Sequence, residues 1–298
     1  MSFKFIERSK LWFTISSVIV ILGMISLATL GLNFGIDFTG GTRIQAEFPE
    51  GTTNDQIRTA LSNVNATDAQ GREANLGNSF VQSLDEGAFS IRTLPLDEEE
   101  QDRVVEALET EFPGFTVLSG PDIVGPTVGA ELIKNAILAL LIAAALLVVY
   151  ISIRFEFKFA VSAIVTLLFD AFVVLTVFSV TQIELNSPFV AAILTIVGYS
   201  INDTIVVFDR IRENLKFPGK DLAAKVDRAI SQSVVRTINT SLTTLLVLGS
   251  ILFLAGDTLR PFALPLFVGV ISGTYSSIFL AGSFWHAWKL RERSKKIA

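Results

Sequence analysis

The sequence predicts a polytopic α-helical membrane protein, with six transmembrane helices and a small α+β domain between helices 1 and 2. Half of its 298 residues are hydrophobic and only 18% are charged, the composition of a chain that meets lipid. Six apolar runs are each about long enough to cross a bilayer core. Between the first and second runs, residues 35–128 switch to alternating and helical patterns typical of a folded aqueous domain.

The same composition excludes several classes of chemistry. There is no Cys and a single His, His286, so disulfides, thiol nucleophiles and Cys/His metal sites are absent, and the redox compartment is left undetermined. No GxxxxGK[ST], GxSxG or HExxH occurs, which leaves NTPase, hydrolase and zinc-protease readings without support. Neither a metal nor an organic cofactor is expected, and nothing pairs a nucleophile with a base, so the chain is not read as an enzyme.

Residues 1–10 carry Lys4, Arg8 and Lys10 and lead into an apolar run over 11–32. A signal peptide starts similarly. This run is longer than a typical signal core and lacks a small-x-small cleavage site, so it is read as an uncleaved helix 1. Gly35-Ile36-Asp37-Phe38-Thr39-Gly40-Gly41-Thr42 follows. Its glycines suit a tight exit turn, and without a Lys it is no phosphate loop.

In the domain, 42–48 alternates as a strand, and 53–64 reads as a capped helix with Ile57 and Leu61 one turn apart. Residues 80–84 and 88–94 read as strands around the turn Asp85-Glu86-Gly87. Residues 97–112 read as a helix with acids in its first turn and a stripe of Val104, Val105, Leu108 and Phe112. Residues 115–118 read as a closing strand, and 120–126 as a linker. The order β-α-β-β-α-β predicts a ferredoxin-like domain. Its acidic charge, set against Arg43, Arg58, Arg72, Arg92 and Arg103, is read as a solvated face.

Helices 2, 3 and 4 are expected over 132–153, 159–180 and 189–208. Residues 209–235 form a charged connection in which Leu222, Val226, Ala229, Ile230 and Val234 recur at helical spacing, along the membrane surface or against the spans. Helices 5 and 6 follow over 237–254 and 261–285, joined by Gly256-Asp257-Thr258-Leu259-Arg260, and 286–298 is a basic tail. Lys and Arg concentrate at the N-terminus, 154–158, 209–236 and the tail, so that side is expected to be cytoplasmic and the domain periplasmic.

Chemistry is expected around Asp203. It lies roughly 9 Å inside Asp209, at 1.5 Å per residue, in hydrocarbon where a carboxylate is rare and functional. Tyr199, Asn202, Asp203, Val206 and Arg210 share helical spacing and predict a polar stripe turned away from lipid. Asn202 can hydrogen-bond either protonation state of a carboxyl. Arg236 is the candidate counter-charge, on a stripe with Thr240, Thr243 and Thr244 and with Asn239 and Ser241 beside it. A pair balanced between burial and attraction can respond to a gradient. Moving one charge across 100 mV is worth about 2.3 kcal/mol, similar to the roughly 2.5–3.5 kcal/mol a charge costs within a span. The alternative is plain structural glue between helices 4 and 5. Asp170, in mid-span three, stands open as a relay, a partner of Asp203 or a packing group. Gly269 and Gly273 form a small-xxx-small pair read as packing, and His286 reads as an interface anchor between Trp285 and Trp288.

These residues carry a resemblance. Gly35 to Thr42, Val124-Gly125-Pro126 before span two, residues 198–214 through span four and Arg236-Thr237-Ile238-Asn239-Thr240-Ser241-Leu242-Thr243-Thr244 entering span five resemble the SecD/SecF family of protein-export membrane proteins, within the RND superfamily. The resemblance implies an RND-type six-helix half-bundle that works with SecD beside the SecYEG translocon, with YajC and YidC as further partners and a translocating preprotein as cargo. It implies use of the proton-motive force, with H+ or in some members Na+ as coupling ion, to complete translocation across the cell inner membrane. It places the proton pathway on Asp203 and Arg236; the residue pattern read above adds Tyr199, Asn202, Thr240, Thr243 and Asp170 as supporting candidates. A basic start and an end after span six are expected of the form separate from SecD. A small-molecule or lipid transporter component and a passive translocon scaffold are the alternatives. One domain of this size leaves little room for the porter domains of a pump.

Overall fold

A computed structural model describes residues 4–64, 66–67, 73–84, 87–218, 221–254 and 259–297. The chain divides into two compact units, residues 34–135 and the remainder, 1–33 with 136–298.

In the first unit, strands β1 (Gly41–Glu47), β4 (Phe80–Ser83), β5 (Ala88–Thr93) and β6 (Thr116–Val124) form one sheet in the order β4-β5-β1-β6. Every neighbouring pair is antiparallel. With helices α3 (Asn54–Ser62) and α4 (Glu98–Glu111) as the crossovers, this is the ferredoxin-like order. A short helix α2 (Ile36–Thr39) precedes the sheet, and a small extra hairpin, β2 (Ala66–Thr67) with β3 (Glu73–Ala74), is appended. Ile44, Ala46 and Phe48 alternate inward from β1 and its end, and meet Ile57 and Leu61 of α3 and Val104 and Leu108 of α4. Phe48 sits edge-on to Phe89, Phe112 and Phe115, with ring centroids 5.3, 5.2 and 5.1 Å away.

Thr53 closes a capping box with Gln56 at the start of α3, and Asp97 accepts from the Glu100 N–H at 2.9 Å to cap α4. The turn into β1 needs its glycines. Gly40 and Gly41 have φ of 71° and 139°, and a Cβ on Gly41 would lie 2.5 Å from the Thr93 carbonyl oxygen. Asp85, Glu86 and Arg72 lie outside the described residues.

One boundary differs from expectation. The closing strand continues through Gly120 and Pro121 to Val124, where a linker was expected. Edge position and register shifts between Arg43 and Ala46 let the strand carry a proline, and Arg43 pairs with Asp122 at 2.6 Å across it.

The second unit is helical. Helices α1 (Ser9–Thr29), α5 (Pro126–Arg154, whose residues up to 135 belong to the first unit), α6 (Phe157–Thr181), α7 (Ser187–Leu215) and α8 (Leu222–Leu254) precede a composite last helix. That helix runs as α9 (Arg260–Tyr275), a π-helical turn at Ser276–Ala281 and α10 (Gly282–Ile297). Among the described residues six helices, with Val128–Arg154 taken for α5 and Arg260–Glu292 for the last, are long and apolar enough to cross a membrane. Asn186 caps α7, accepting from the Phe189 N–H, and Pro188 occupies its first turn.

The expected separate connection over 209–235 is not a separate element. α7 runs on to Leu215, and residues 222–235 form one continuous helix with span five, because no Gly or Pro interrupts α8 before Gly249. At 33 residues α8 is about 50 Å long, well beyond a ~30 Å bilayer core. Its stripe of Leu222, Val226, Ala229 and Ile230 packs into the apolar core with Ile211 and Trp285, and Val234 lies against that core. Trp285 is fully buried and stacked on Phe159, centroids 4.8 Å apart. His286 is buried beside it, within reach of the charges of Asp221 and Asp227, and is not an interface anchor. The 256–258 part of the loop between spans five and six lies outside the described residues.

Candidate functional site

Where α6, α7 and α9 meet, the apolar helices turn polar. Asp170 of α6 is fully buried and accepts three hydroxyl hydrogen bonds. Ser200 of α7 donates to Oδ2 at 2.6 Å, Ser276 to the same oxygen at 2.8 Å, and Ser272 of α9 to Oδ1 at 2.6 Å. Ser272 and Ser276 are four residues apart, which stacks both hydroxyls on one helix face. Glycines let α9 come close. A Cβ on Gly273 would stand 3.1 Å from Ser200 Oγ and 3.6 Å from Asp170 Oδ2, and one on Gly269 only 2.4 Å from Ile196 Cδ1. The π turn begins at Ser276, a type of irregularity frequent at functional sites.

Asp203 sits three residues past Ser200 on the same helix and is 4% exposed. Its Oδ2 is buried and has no hydrogen-bond partner. The groups that act on this carboxyl belong to α8: the Ser241 hydroxyl and, at longer range, the Arg236 charge. Among the described residues no contact ion pair joins Asp203 to Arg236. A buried carboxyl oxygen without a partner is costly by about 1–3 kcal/mol, more if charged, and such an atom asks for an explanation. The residue after Asp203, Thr204, shares a 2.8 Å hydroxyl–hydroxyl bond with Ser277, which also reaches the Ser200 carbonyl at 3.4 Å. Thr274 of α9 donates to Ser241 at 2.6 Å. A seam of hydroxyls therefore joins the surroundings of both carboxyls.

The residues expected around Asp203 divide between two faces. Tyr199 is half-buried and bonds Thr244 of α8 at 3.1 Å. Asn202 is exposed on the surface of this chain, and Arg210 is exposed and paired with Glu213 at 2.6 Å. On α8, Arg236, Asn239, Thr240 and Thr243 are exposed, while Thr237 and Ser241 face the bundle. Thr240 and Thr243 spend their hydroxyls on α8 carbonyls, Thr240 on Arg236 and Thr237, Thr243 on Thr240. The buried polar residues around Asp203 are thus Ser200 and Thr204 on its own helix and Ser241 of α8, and the expected stripe lies largely outside this bundle. Ser200, Ser272 and Ser276 were not anticipated as site residues. Their signal was the i, i+4 serine pair inside a small-residue stripe that reads equally well as packing. Among the described residues no group of three or more His, Asp or Glu is placed to hold a metal.

Residues 106–291 match the model of the C-terminal part of the SecD/SecF protein export membrane proteins, and residues 25–48 match the SecD/SecF GG motif. The chain belongs to the SecD/SecF family. The GG match covers Gly40 and Gly41, and the longer match covers Asp170, Asp203 and Arg236. The protein translocase subunit SecF of Sebaldella termitidis is 39% identical over 283 residues, covering 94% of this chain and 90% of that protein. The protein translocase subunit SecDF of Bacillus subtilis is 37% identical over 304 residues, 99% of this chain but 39% of that longer protein. The crystal structure of SecDF from Thermus thermophilus superposes with a TM-score of 0.87 at 35% identity, covering 97% of this chain and 39% of that one. The chain is a membrane protein of six apolar helices related to protein translocase subunits.

Proposed function

We propose that this chain works with SecD as an ion-coupled subunit of the Sec protein-export machinery. In this reading it uses the proton-motive force to assist late translocation of a preprotein across the cytoplasmic membrane. Asp203 exchanges the coupling proton and Arg236 modulates it. The observation that carries the reading is the buried, unpartnered oxygen of Asp203 beside a polar surface at membrane depth. Arg236, Asn239, Thr240, Thr243 and Asn202 are exposed on this chain alone, and polar groups in a span do not face lipid. A second helical bundle covering that face would complete the site. The relatives named SecDF, in which this chain matches about two-fifths of the length, support SecD as the source of that bundle.

In this account both termini are cytoplasmic, the ferredoxin-like domain is periplasmic, and the membrane is the bacterial inner membrane. SecYEG, YajC and YidC are the further partners. In this reading H+ is the coupling ion, taken up at the buried oxygen of Asp203, with Na+ as the alternative. The test is gradient-driven completion of translocation in membrane vesicles carrying Asp203→Asn or Arg236→Ala, with assembly checked by co-purification of SecD. Loss of gradient dependence in an assembled complex supports the reading. Wild-type dependence in the assembled Asp203→Asn complex identifies a scaffold and overturns it.

A further inference from the structure

We infer that Asp170 is a second proton-binding site of this bundle, and that Ser276 is the hydroxyl that switches when the proton arrives. The functional half of this inference rests on the proton-coupled reading above. The geometry stands apart from it.

Asp170 has no exposed surface and no cationic partner among the described residues, so three neutral hydroxyls alone offset any charge it carries. The titratable or charged groups on the elements packed around it are few. α7 brings Asp203 near that level, and α9 brings Tyr275, whose hydroxyl is committed to Trp12 and Ser16 of α1. The only charged side chain in α1 is Lys10 at its start, and in α6 the only other one is Lys158, also at its start. Nothing fixes the carboxyl in one ionisation state as a guanidinium in contact would.

The hydrogen bonds supply a way to change state. A carboxylate accepts from all three serines, whereas a carboxylic acid must donate once. Ser276 is the hydroxyl that can accept that donation, because it has a second acceptor of its own, the Gly273 carbonyl at 3.3 Å. When a transported proton binds Oδ2, the new O–H donates to Ser276 Oγ. Ser276 then turns its own proton to the Gly273 carbonyl. Loss of the proton reverses both bonds, so charge and hydrogen balance in each direction. Ser276 opens the π turn, and its neighbour Ser277 bonds Thr204, the residue next to Asp203. The switch is therefore connected to the packing of the last helix and to the surroundings of the other carboxyl.

The test is infrared difference spectroscopy of the full SecD-containing complex in lipid, with isotope-labelled aspartate, scanned through the pH range around neutrality. The expected result is a reversible protonated-carboxyl band that disappears in Asp170→Asn and persists in Asp203→Asn. Ser276→Ala is expected to displace its midpoint by about one pH unit, through loss of one hydroxyl to the carboxyl. Asp170→Asn keeps the shape and an acceptor oxygen, so the complex should assemble, and its proton flux should fall about tenfold, the effect of roughly 1.4 kcal/mol. No titrating band assignable to Asp170, or a midpoint indifferent to Ser276→Ala, overturns the site. Undiminished flux in Asp170→Asn overturns its part in coupling. The band assay does not depend on Asp203, so failure of this inference is distinguishable from failure of the proposed function.

Discussion

Replacing Gly273 with alanine places a methyl group at the narrowest point of the polar site. The new Cβ would lie 3.1 Å from both Cβ and Oγ of Ser200, several tenths of an ångström inside a relaxed contact of about 3.5–4.0 Å. Two responses are open. α9 can move away from α7, an overpacking strain of about 1–3 kcal/mol. Ser200 can instead rotate and lose its 2.6 Å bond to Asp170, worth about 1.5–3 kcal/mol if that carboxyl is charged. Against either stands a helix-propensity gain of about 1 kcal/mol for alanine over glycine. The net expectation is destabilisation by up to about 2 kcal/mol. Gly249→Ala in α8 is the control, because its Cβ would meet only Phe267 at an ordinary 3.9 Å and should gain stability. The assay is thermal unfolding of the two variants in the same detergent, followed by tryptophan fluorescence. Opposite signs are expected. A Gly273→Ala protein as stable as Gly249→Ala would refute the close approach of α9 to α7.

In the sheet domain, Phe48→Ala removes a ring flanked by three others and should cost about 3–5 kcal/mol, read as increased protease sensitivity of residues 34–135 in the full-length protein. Thr53→Ala deletes the capping box of α3 and should cost about 1 kcal/mol, with Thr53→Ser restoring most of it, measured by the same digestion.

Periodicity revealed more of this molecule than of its site. The alternation of Ile44, Ala46 and Phe48, and the one-turn spacing of Ile57 with Leu61, sufficed for the ferredoxin-like order, because local pattern decides which face is buried. Pro121 hid the length of β6, since a proline reads as the end of a strand unless its edge position is known. Charge hid the continuity of α8, because a charged, amphipathic stretch reads as a connection although nothing in it breaks a helix. At Asp203, helical spacing grouped Tyr199, Asn202, Asp203 and Arg210 on one stripe but did not tell which of them this chain buries and which it leaves exposed. Asn202 is about 100° away around the helix and points outward, whereas Ser200 and Thr204 share the buried side. Asp170 was visible as an anomaly from its residue type alone. Its three serines come from two other helices, and such contacts have no signature along one chain.

The central claim is that Asp203 exchanges the coupling ion. Its most direct measurement is proton flux through proteoliposomes holding this chain assembled with SecD, under an imposed gradient, for wild type and Asp203→Asn at equal complex density. The account predicts gradient-driven flux in wild type and background leakage in the variant. Wild-type flux through assembled Asp203→Asn complexes would contradict it.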